Sequence, residues 1–380
     1  MMMRLYIKLL VVLFILFLTS CHLNKTTTNS LVVEKPLIKV GVFDGNGAGA
    51  ISVIETIEAL KIDKEIASFP ISASDIISGK LDDIDALIFP GGSGSKQLNY
   101  LGYEGEKRVK EFINKKGKGV IGICAGAYML CNTPTYNSLK IAGVKHVDRA
   151  HYNRGRGLVE FKLNKKGQSI FPELAGHRQF IQYYDGPIME NLGTSSALTE
   201  LAEYVTDIHP NKGTPLGITP GKLFLYHEQI GNGRIFAIAG HAESTPGMRW
   251  MIPRMARWIT GQELVSYDSK WIDPEKNSKP ILFDYNLKEK EKEVWLQLFD
   301  KNPVTRMDAM YELYTMRSRP GVRWTVGMLR DENAKVRAYA AELTAKSEYS
   351  FALKDLEAAY NIEHNKETKT ILQQSINFLK

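Results

Sequence analysis

Cysteine is scarce in this chain: Cys21, Cys124 and Cys131 are the only three in 380 residues. A fold held together by disulfide bonds is therefore excluded, and each cysteine needs its own explanation. Charge of one sign is not concentrated either. The formal net charge is +7, and no segment is dense enough in lysine and arginine for a nucleic-acid partner. With 44% apolar and 24% charged residues, the composition is that of a globular protein.

Long hydrophobic runs are also lacking, and the most apolar stretch lies near the N-terminus. Arg4 and Lys8 precede an apolar run over residues 9–18. This run is too short to cross a bilayer as a helix, because about 20 residues are needed. A basic start, a short apolar core and small residues after it predict a secretory signal peptide over residues 1–20. A plain secreted protein or an uncleaved anchor is the alternative.

The signal ends in Leu18-Thr19-Ser20-Cys21, which resembles the lipobox of bacterial lipoproteins. The resemblance implies cleavage before Cys21, lipidation of that cysteine and a lipid anchor in the bacterial cell envelope. His22 is not acidic, and in a Gram-negative cell this implies the outer membrane, with the protein facing the periplasm. Residues 21–36 are rich in threonine, asparagine and serine and predict a flexible tether.

Short apolar strands alternate with amphipathic helices between residues 37 and 260. This order predicts an α/β domain with a doubly wound, mostly parallel sheet. We predict strands over residues 37–43, 85–89, 119–123, 157–163, 223–228 and 234–239, and helices over residues 51–60, 104–114 and 246–258.

Residues 261–290 are polar, contain two prolines and predict a linker. Beyond it, a weak pattern recurs from residue 296 to 326 and 356, an offset of thirty residues each time. A fixed period in this range predicts stacked helical hairpins. The sequence pattern D-x-N…V-R-x-x-A resembles HEAT-like repeats, so we expect a small all-α helical-repeat region over residues 291–380. A plain helical bundle is the alternative.

The most informative stretch is Gly122-Ile123-Cys124-Ala125-Gly126-Ala127-Tyr128. A buried strand meets a helix at a cysteine that has a glycine two positions away on either side, which is the pattern of a nucleophile elbow. The N-terminus of the helix favours a thiolate there. The alternative is an ordinary buried cysteine.

A cysteine nucleophile needs a base, and the base needs a carboxylate that orients it. His241 follows the strand over residues 234–239 and therefore lies at the same sheet edge as Cys124, with Glu243 two residues later. We predict His241 as the base and Glu243 as its partner, on an extended segment that points both side chains to one side. Backbone N–H groups of Gly91, Gly92 and Ala125 would stabilise an oxyanion.

The stretches Gly122–Tyr128, Pro90–Gly94 and Gly240–Glu243 resemble the class I glutamine amidotransferase-like superfamily. Together with Tyr183–Pro187, the first of them is similar to the biotin–protein ligase N-terminal domain family, over about residues 37–260. The resemblance implies an amidotransferase-like fold and the Cys–His–Glu triad.

The family resemblance also implies a substrate pocket formed by Tyr128, Tyr184 and Asp185. Two departures matter. Glutamine amidotransferases usually carry glutamine where this chain has Tyr128, so the resemblance does not imply glutaminase activity. Their His-Pro-Glu motif is His-Ala-Glu here, ending at Glu243.

Three further groups of residues have side chains that could bind a ligand or react. His146, Asp148 and His151 lie in a loop rich in glycine and arginine without a further clear ligand, so we expect no metal site and no cofactor. A local basic cluster is either a solvated face or, if it overhangs Cys124, a site for an anionic substrate; it comprises Arg149, Arg154 and Arg156. Cys131 is expected in the core, with a resolving thiol as the alternative.

Two functional hypotheses follow from the sequence. The first is a membrane-anchored, cysteine-dependent hydrolase or amidase-like enzyme that acts on an unidentified small-molecule or peptide substrate. The second is a catalytically idle binding or scaffold lipoprotein that uses its helical repeats to hold a protein partner.

Overall fold

The computed structural model describes residues 37–380. The predicted signal peptide, Cys21 and the predicted tether lie outside the described residues. Within the described part, no helix combines the length and apolar character needed to cross a bilayer. One hydrophobic core surrounds the sheet and a second lies within the C-terminal helices. The boundaries expected at residues 260 and 290 stay a prediction.

A twelve-stranded sheet forms the framework of the protein. The strands are β1 Ile38–Phe43, β2 Ile66–Ile71, β3 Ala86–Phe89, β4 Gly119–Ile123, β5 Val144–His146, β6 Arg156–Leu163, β7 Gln179–Tyr184, β8 Met189–Asn191, β9 Leu198–Tyr204, β10 Leu223–Ile230, β11 Gly233–Ile238 and β12 Ile281–Leu282. The helices are α1 Ala50–Leu60, α2 Ala73–Ile77, α3 Gly94–Ile113, α4 Ala125–Leu130, α5 Lys165–Ile170, α6 Met251–Thr260, α7 Tyr285–Gln297, α8 Pro303–Thr315, α9 Arg319–Gly327, α10 Ala334–Lys346, α11 Leu353–Ile362 and α12 Lys366–Leu379.

The central part of the sheet is parallel, in the order β2-β1-β3-β4-β11. Every residue of β3 and β4 is buried, so helices and loops cover both faces of these strands. Continuous apolar runs such as Gly119–Ile123 are what a strand buried on both faces requires. The predicted α/β class with a mostly parallel central sheet and a helical C-terminal region is confirmed.

The other half of the sheet is antiparallel, and the number of its strands is larger than the sequence indicates. β10 turns back on β11 through the turn at Gly231, and β9, β6 and β12 continue outward in that order. β12 lies within residues 261–290, where a linker is predicted, and it pairs with the first half of β6. This segment is therefore attached to the sheet along part of its length.

The C-terminal helices form three consecutive hairpins, α7–α8, α9–α10 and α11–α12. An arginine ladder connects successive hairpins. Arg306 pairs with Asp331 at 2.7 Å, and Arg337 pairs with Glu363 at 2.7 Å. Each arginine also donates to backbone carbonyls of its own loop, as Arg306 does to Asp300 at 2.7 Å. The recurring D-x-N…R sequence pattern thus has a structural role, because its arginine and its acidic residue form the ion pairs that connect one loop to the next.

Candidate active site

Cys124 occupies a sharp turn between β4 and α4. Its backbone has φ 50° and ψ −99°, a conformation that costs a non-glycine residue free energy and is typical of functional sites. The two flanking glycines make the turn possible. A Cβ at Gly126 would lie 2.0 Å from the carbonyl oxygen of Phe89, and one at Gly122 would lie 2.6 Å from the carbonyl carbon of Gly126. The glycine pattern thus reflects close backbone packing around the elbow.

The parallel pairing of β4 with β11 brings His241 to Cys124. Ile123 and Ile238 are register partners, so both strands end at the same edge of the sheet. The backbone N–H of His241 donates to the carbonyl of Gln182 at 2.7 Å, which fixes the segment after β11. The imidazole packs on Gly91, where a Cβ would lie only 2.5 Å from its Cε1 atom.

His241 and Glu243 form a buried pair. Nδ1 of His241 lies 2.7 Å from Oε1 of Glu243, and that oxygen also accepts a hydrogen bond from the hydroxyl of Ser52 at 2.9 Å. The sequence predicts an extended His-x-Glu segment, and this is wrong, because Ala242–Ser244 forms a short 3-10 helix. The tight turn folds the carboxylate back to Nδ1, and this leaves Nε2 as the nitrogen available for proton transfer.

The electrostatics of this pair favour a charged imidazole. Burial alone would lower the pKa of His241, but the negative charges of Glu243 and Cys124 raise it to about 9. Burial acts to raise the pKa of Glu243, but the charge of His241 and its hydrogen bond outweigh burial. The pKa of Glu243 therefore lies below its usual value. Imidazolium and carboxylate therefore stabilise each other within this buried pair.

A pocket of about 550 Å³ opens at the elbow. Sγ of Cys124 lies 3.3 Å from the carbonyl oxygen of Tyr184, which accepts a hydrogen bond from the thiol. The pocket is lined by Gly49, Ala50, Ile51, Ser52, Gly91, Gly92, Cys124, Arg156, Tyr184, His241, Arg319, Pro320 and Arg323. Its volume suits a small molecule or the end of a peptide.

The three backbone groups expected to stabilise an oxyanion differ in their availability. The N–H of Gly91 already donates to the hydroxyl of Ser52 at 2.9 Å, so an oxyanion would have to displace that bond. Ala125 is the first residue of α4, and N–H groups in the first turn of a helix have no intrahelical partner. Gly92 lines the pocket with Cys124. Ala125 and Gly92 are therefore the better placed donors.

Of the three residues expected to form the substrate pocket, Tyr184 lines its wall, whereas the described lining does not include Tyr128 or Asp185. The Tyr128 hydroxyl donates to the carbonyl of Asp185 at 3.2 Å, and the Asp185 carboxylate accepts from the N–H of Gly155 at 2.7 Å. These two residues thus support the loop that carries Tyr184.

The three arginines of the predicted basic cluster occupy different environments in the structure. Arg156 lines the pocket, whereas Arg149 donates to Thr135 and buried Arg154 pairs with Asp148. The anionic-substrate interpretation therefore applies to Arg156 among these three arginines. The other two hold the surrounding loop.

His146 and Cys131 take structural positions. His146 is buried between two tyrosine rings, and burial together with the nearby charge of Arg149 lowers its pKa to about 4. Residues 37–380 contain no group of three or more His, Cys, Asp or Glu side chains placed to hold a metal ion. Cys131 is fully buried, burial raises the pKa of its thiol, and the thiol donates to the carbonyl of Ala127 at 3.2 Å.

The contribution of the helical region to this pocket was not predicted from the sequence. Arg319, Pro320 and Arg323 all belong to α9. The Ser318 side chain that caps α9 and the proline that follows are readable as a helix start. No local signal, however, indicates that this helix packs beside Cys124. Ser52 on α1, which holds both Glu243 and Gly91, was missed for the same reason.

A cysteine elbow after a central parallel strand, with histidine and glutamate after the neighbouring strand, defines an amidotransferase-like α/β protein. Residues 38–256, more than half of the chain, match the family described as "Biotin-protein ligase, N terminal", and the chain belongs to that family. The C-terminal helical region lies beyond the matched residues.

The chain is similar to solved structures of ThuA-like proteins and of larger enzymes. A ThuA-like protein from Parabacteroides merdae is 15% identical, with 63% of this chain and 100% of that chain covered and a TM-score of 0.41. One from Bacteroides uniformis is 11% identical, with 60% and 92% covered and a TM-score of 0.41. A β-galactosidase from Bacillus circulans is 13% identical, with 60% and 32% covered and a TM-score of 0.36. No curated protein sequence matches the chain.

Proposed function

We propose that this protein is a cysteine-dependent hydrolase of the amidase type, anchored to a membrane through Cys21. Cys124 is the nucleophile, His241 the general acid and base, and Glu243 the residue that orients the imidazole. The observation that carries the proposal is the position of Cys124, in a strained turn within a pocket that it shares with His241. Strain of this kind persists where the surrounding structure maintains it, and it is concentrated at functional sites.

The reaction follows from the chemistry of these groups. The thiolate attacks the carbonyl carbon of an amide, and an S–C bond forms as the oxygen becomes an oxyanion near Ala125 and Gly92. The C–N bond then breaks, and the amine takes its proton from the imidazolium of His241. Water attacks the thioester, gives its proton to His241 and releases the acid, which restores the thiolate.

Alkylation of the full-length chain with iodoacetamide at neutral pH tests the nucleophile. Peptide-resolved mass spectrometry follows Cys124, with buried Cys131 as an unreactive internal reference. An ordinary thiol is only a few per cent thiolate at pH 7. If His241 activates Cys124 as proposed, we expect Cys124 to react roughly 10- to 30-fold faster than a model thiol.

The same measurement on His241→Asn should remove most of this advantage. His177→Asn serves as the matched control, because His177 is exposed and pairs with Glu275 away from the pocket. A Cys124 thiol no more reactive than a model thiol would contradict the hydrolase and favour the alternative, an idle lipoprotein whose helical repeats bind a partner.

The membrane anchor is a separate part of the proposal and rests on the lipobox resemblance at Leu18–Cys21. Acylation of Cys21 would hold the protein at the cell envelope, at the outer membrane facing the periplasm if the cell is Gram-negative. Fractionation of cells that express the natural chain and Cys21→Ser tests it. We expect the variant to leave the membrane fraction. A variant that stays with membranes through an alkaline wash would show that the anchor is not an acylated Cys21.

A further inference from the structure

The charged residues that line the Cys124 pocket are all basic. Besides His241, they are Arg156, Arg319 and Arg323, and the described lining contains no aspartate or glutamate. A pocket wall of one sign concentrates ligands of the opposite sign, more so where the surrounding protein excludes water. The arginines therefore bear on what the pocket binds.

The three arginines differ in how far their charge is already compensated. Arg156 forms a two-pronged contact with Glu291 and stacks on the ring of Phe283 at 4.1 Å. Arg319 pairs with Glu55 at 2.6 Å, and its Nε atom is buried without a hydrogen-bond partner among residues 37–380.

Arg323 is exposed and forms no ion pair or hydrogen bond with any residue of the described part. It lies four residues after Arg319 on α9, so the two guanidinium groups extend from the same face of the helix. Arg319 and the uncompensated guanidinium of Arg323 thus border a pocket that contains the proposed nucleophile.

We propose that the substrate carries a carboxylate, and that Arg323, beside the partly exposed side chain of Arg319, binds it. A guanidinium presents a planar fork of donors that matches a carboxylate. A single uncompensated arginine matches one negative charge better than the two charges of a phosphate monoester. The helical region would thereby supply the substrate specificity of a site whose nucleophile lies in the amidotransferase-like domain. This inference rests on the proposed function of Cys124.

Two alkylating agents of nearly equal size test this proposal. Iodoacetate carries a carboxylate and iodoacetamide is neutral, so the ratio of their rate constants at Cys124 measures anion recruitment apart from thiol reactivity. We compare the full-length chain with Arg323→Gln and, as a matched control, Arg330→Gln. Arg330 is exposed and lies outside the pocket lining.

We expect the iodoacetate-to-iodoacetamide ratio to fall roughly three- to tenfold in Arg323→Gln and to stay unchanged in Arg330→Gln. Added salt should lower the ratio in the natural chain, because exposed charges are screened. Equal ratios in the natural chain and Arg323→Gln would overturn the carboxylate assignment while leaving the nucleophile intact. Slow reaction of Cys124 with iodoacetamide in the natural chain would instead overturn the proposed function, and this inference with it.

Discussion

Nη2 of Arg319 lies 2.6 Å from Oε2 of Glu55, and this pair joins the helical region to α1 beside the active site. The same carboxylate oxygen accepts a hydrogen bond from the hydroxyl of Ser244, the residue after Glu243. One buried carboxylate therefore holds both the turn that carries the orienting glutamate and the helix that carries two pocket arginines.

The first prediction concerns this carboxylate. Glu55→Gln removes the charge that compensates Arg319, and we expect the free energy of unfolding to fall by roughly 1–3 kcal/mol, less than for a fully buried pair because Arg319 is partly exposed. Urea unfolding measures the change. Glu58→Gln is the control on the same helix, since its partner Lys61 is exposed. Equal losses in both variants would contradict the role given to Glu55.

The second prediction concerns the elbow. Gly126→Ala would place a Cβ 2.0 Å from the carbonyl oxygen of Phe89, and backbone must move to relieve the clash. We expect a loss of roughly 1–3 kcal/mol in the free energy of unfolding, together with slower alkylation of Cys124. Gly327→Ala is the control: it has helical φ and nothing within 4 Å of the added atom, so stability should hold or rise slightly. Equal stability and alkylation in Gly126→Ala and the natural chain would contradict this prediction.

The parallel core could be read from the sequence because its strands are continuous apolar runs. β4 has the predicted bounds Gly119–Ile123. β2, by contrast, was missed, because Ser68 and Pro70 interrupt its pattern and it is only partly buried. Its position at the end of the strand order explains the proline, since an edge strand tolerates a residue without an N–H donor.

The helix bounds show a similar division. α3 begins ten residues before the predicted start at Glu104, and its backbone breaks at Gly102, where φ is 68°. The first part begins with polar residues and has only one buried apolar pair at helical spacing, Leu98 and Leu101, before the break, so its apolar pattern is too short to indicate a helix. Cys124 and His241 each follow the end of a strand, so their meeting at one edge of the sheet could be predicted, whereas their catalytic role stays a prediction. The place of Arg323 could not be predicted, because it depends on how two distant segments pack.

The third prediction concerns pH. The folded-state pKa of His241, about 9, lies above its usual value of 6.5. The protonated imidazole therefore stabilises the fold fully below pH 6.5, and this contribution is lost as the pH rises through 9. We expect the difference in unfolding free energy between the natural chain and His241→Asn to decrease over that window, by on the order of 1–3 kcal/mol. Urea titrations at several pH values measure it. A difference that stays constant would contradict the charged pair.

The last prediction concerns the arginine ladder of the helical region. Arg306 and Asp331 are 6% and 7% exposed, and Arg306 also donates to Asp300 and Lys301 backbone carbonyls. Arg306→Gln would leave a buried carboxylate without its counter-charge, and we expect a loss of roughly 3–5 kcal/mol, measured by urea unfolding.

Arg330→Gln provides the matched control for the ladder, because Arg330 is 80% exposed and contacts Asp355 at 3.5 Å. An exposed pair of this kind is worth about 0–1 kcal/mol, so the control should unfold almost as the natural chain does. The second hydrophobic core lies within these helices, and we therefore expect Arg306→Gln to unfold this region before the sheet. Tryptophan fluorescence from Trp295 and Trp324 in this region would follow that step. Equal unfolding midpoints for the two variants would show that the ladder does not hold the hairpins together.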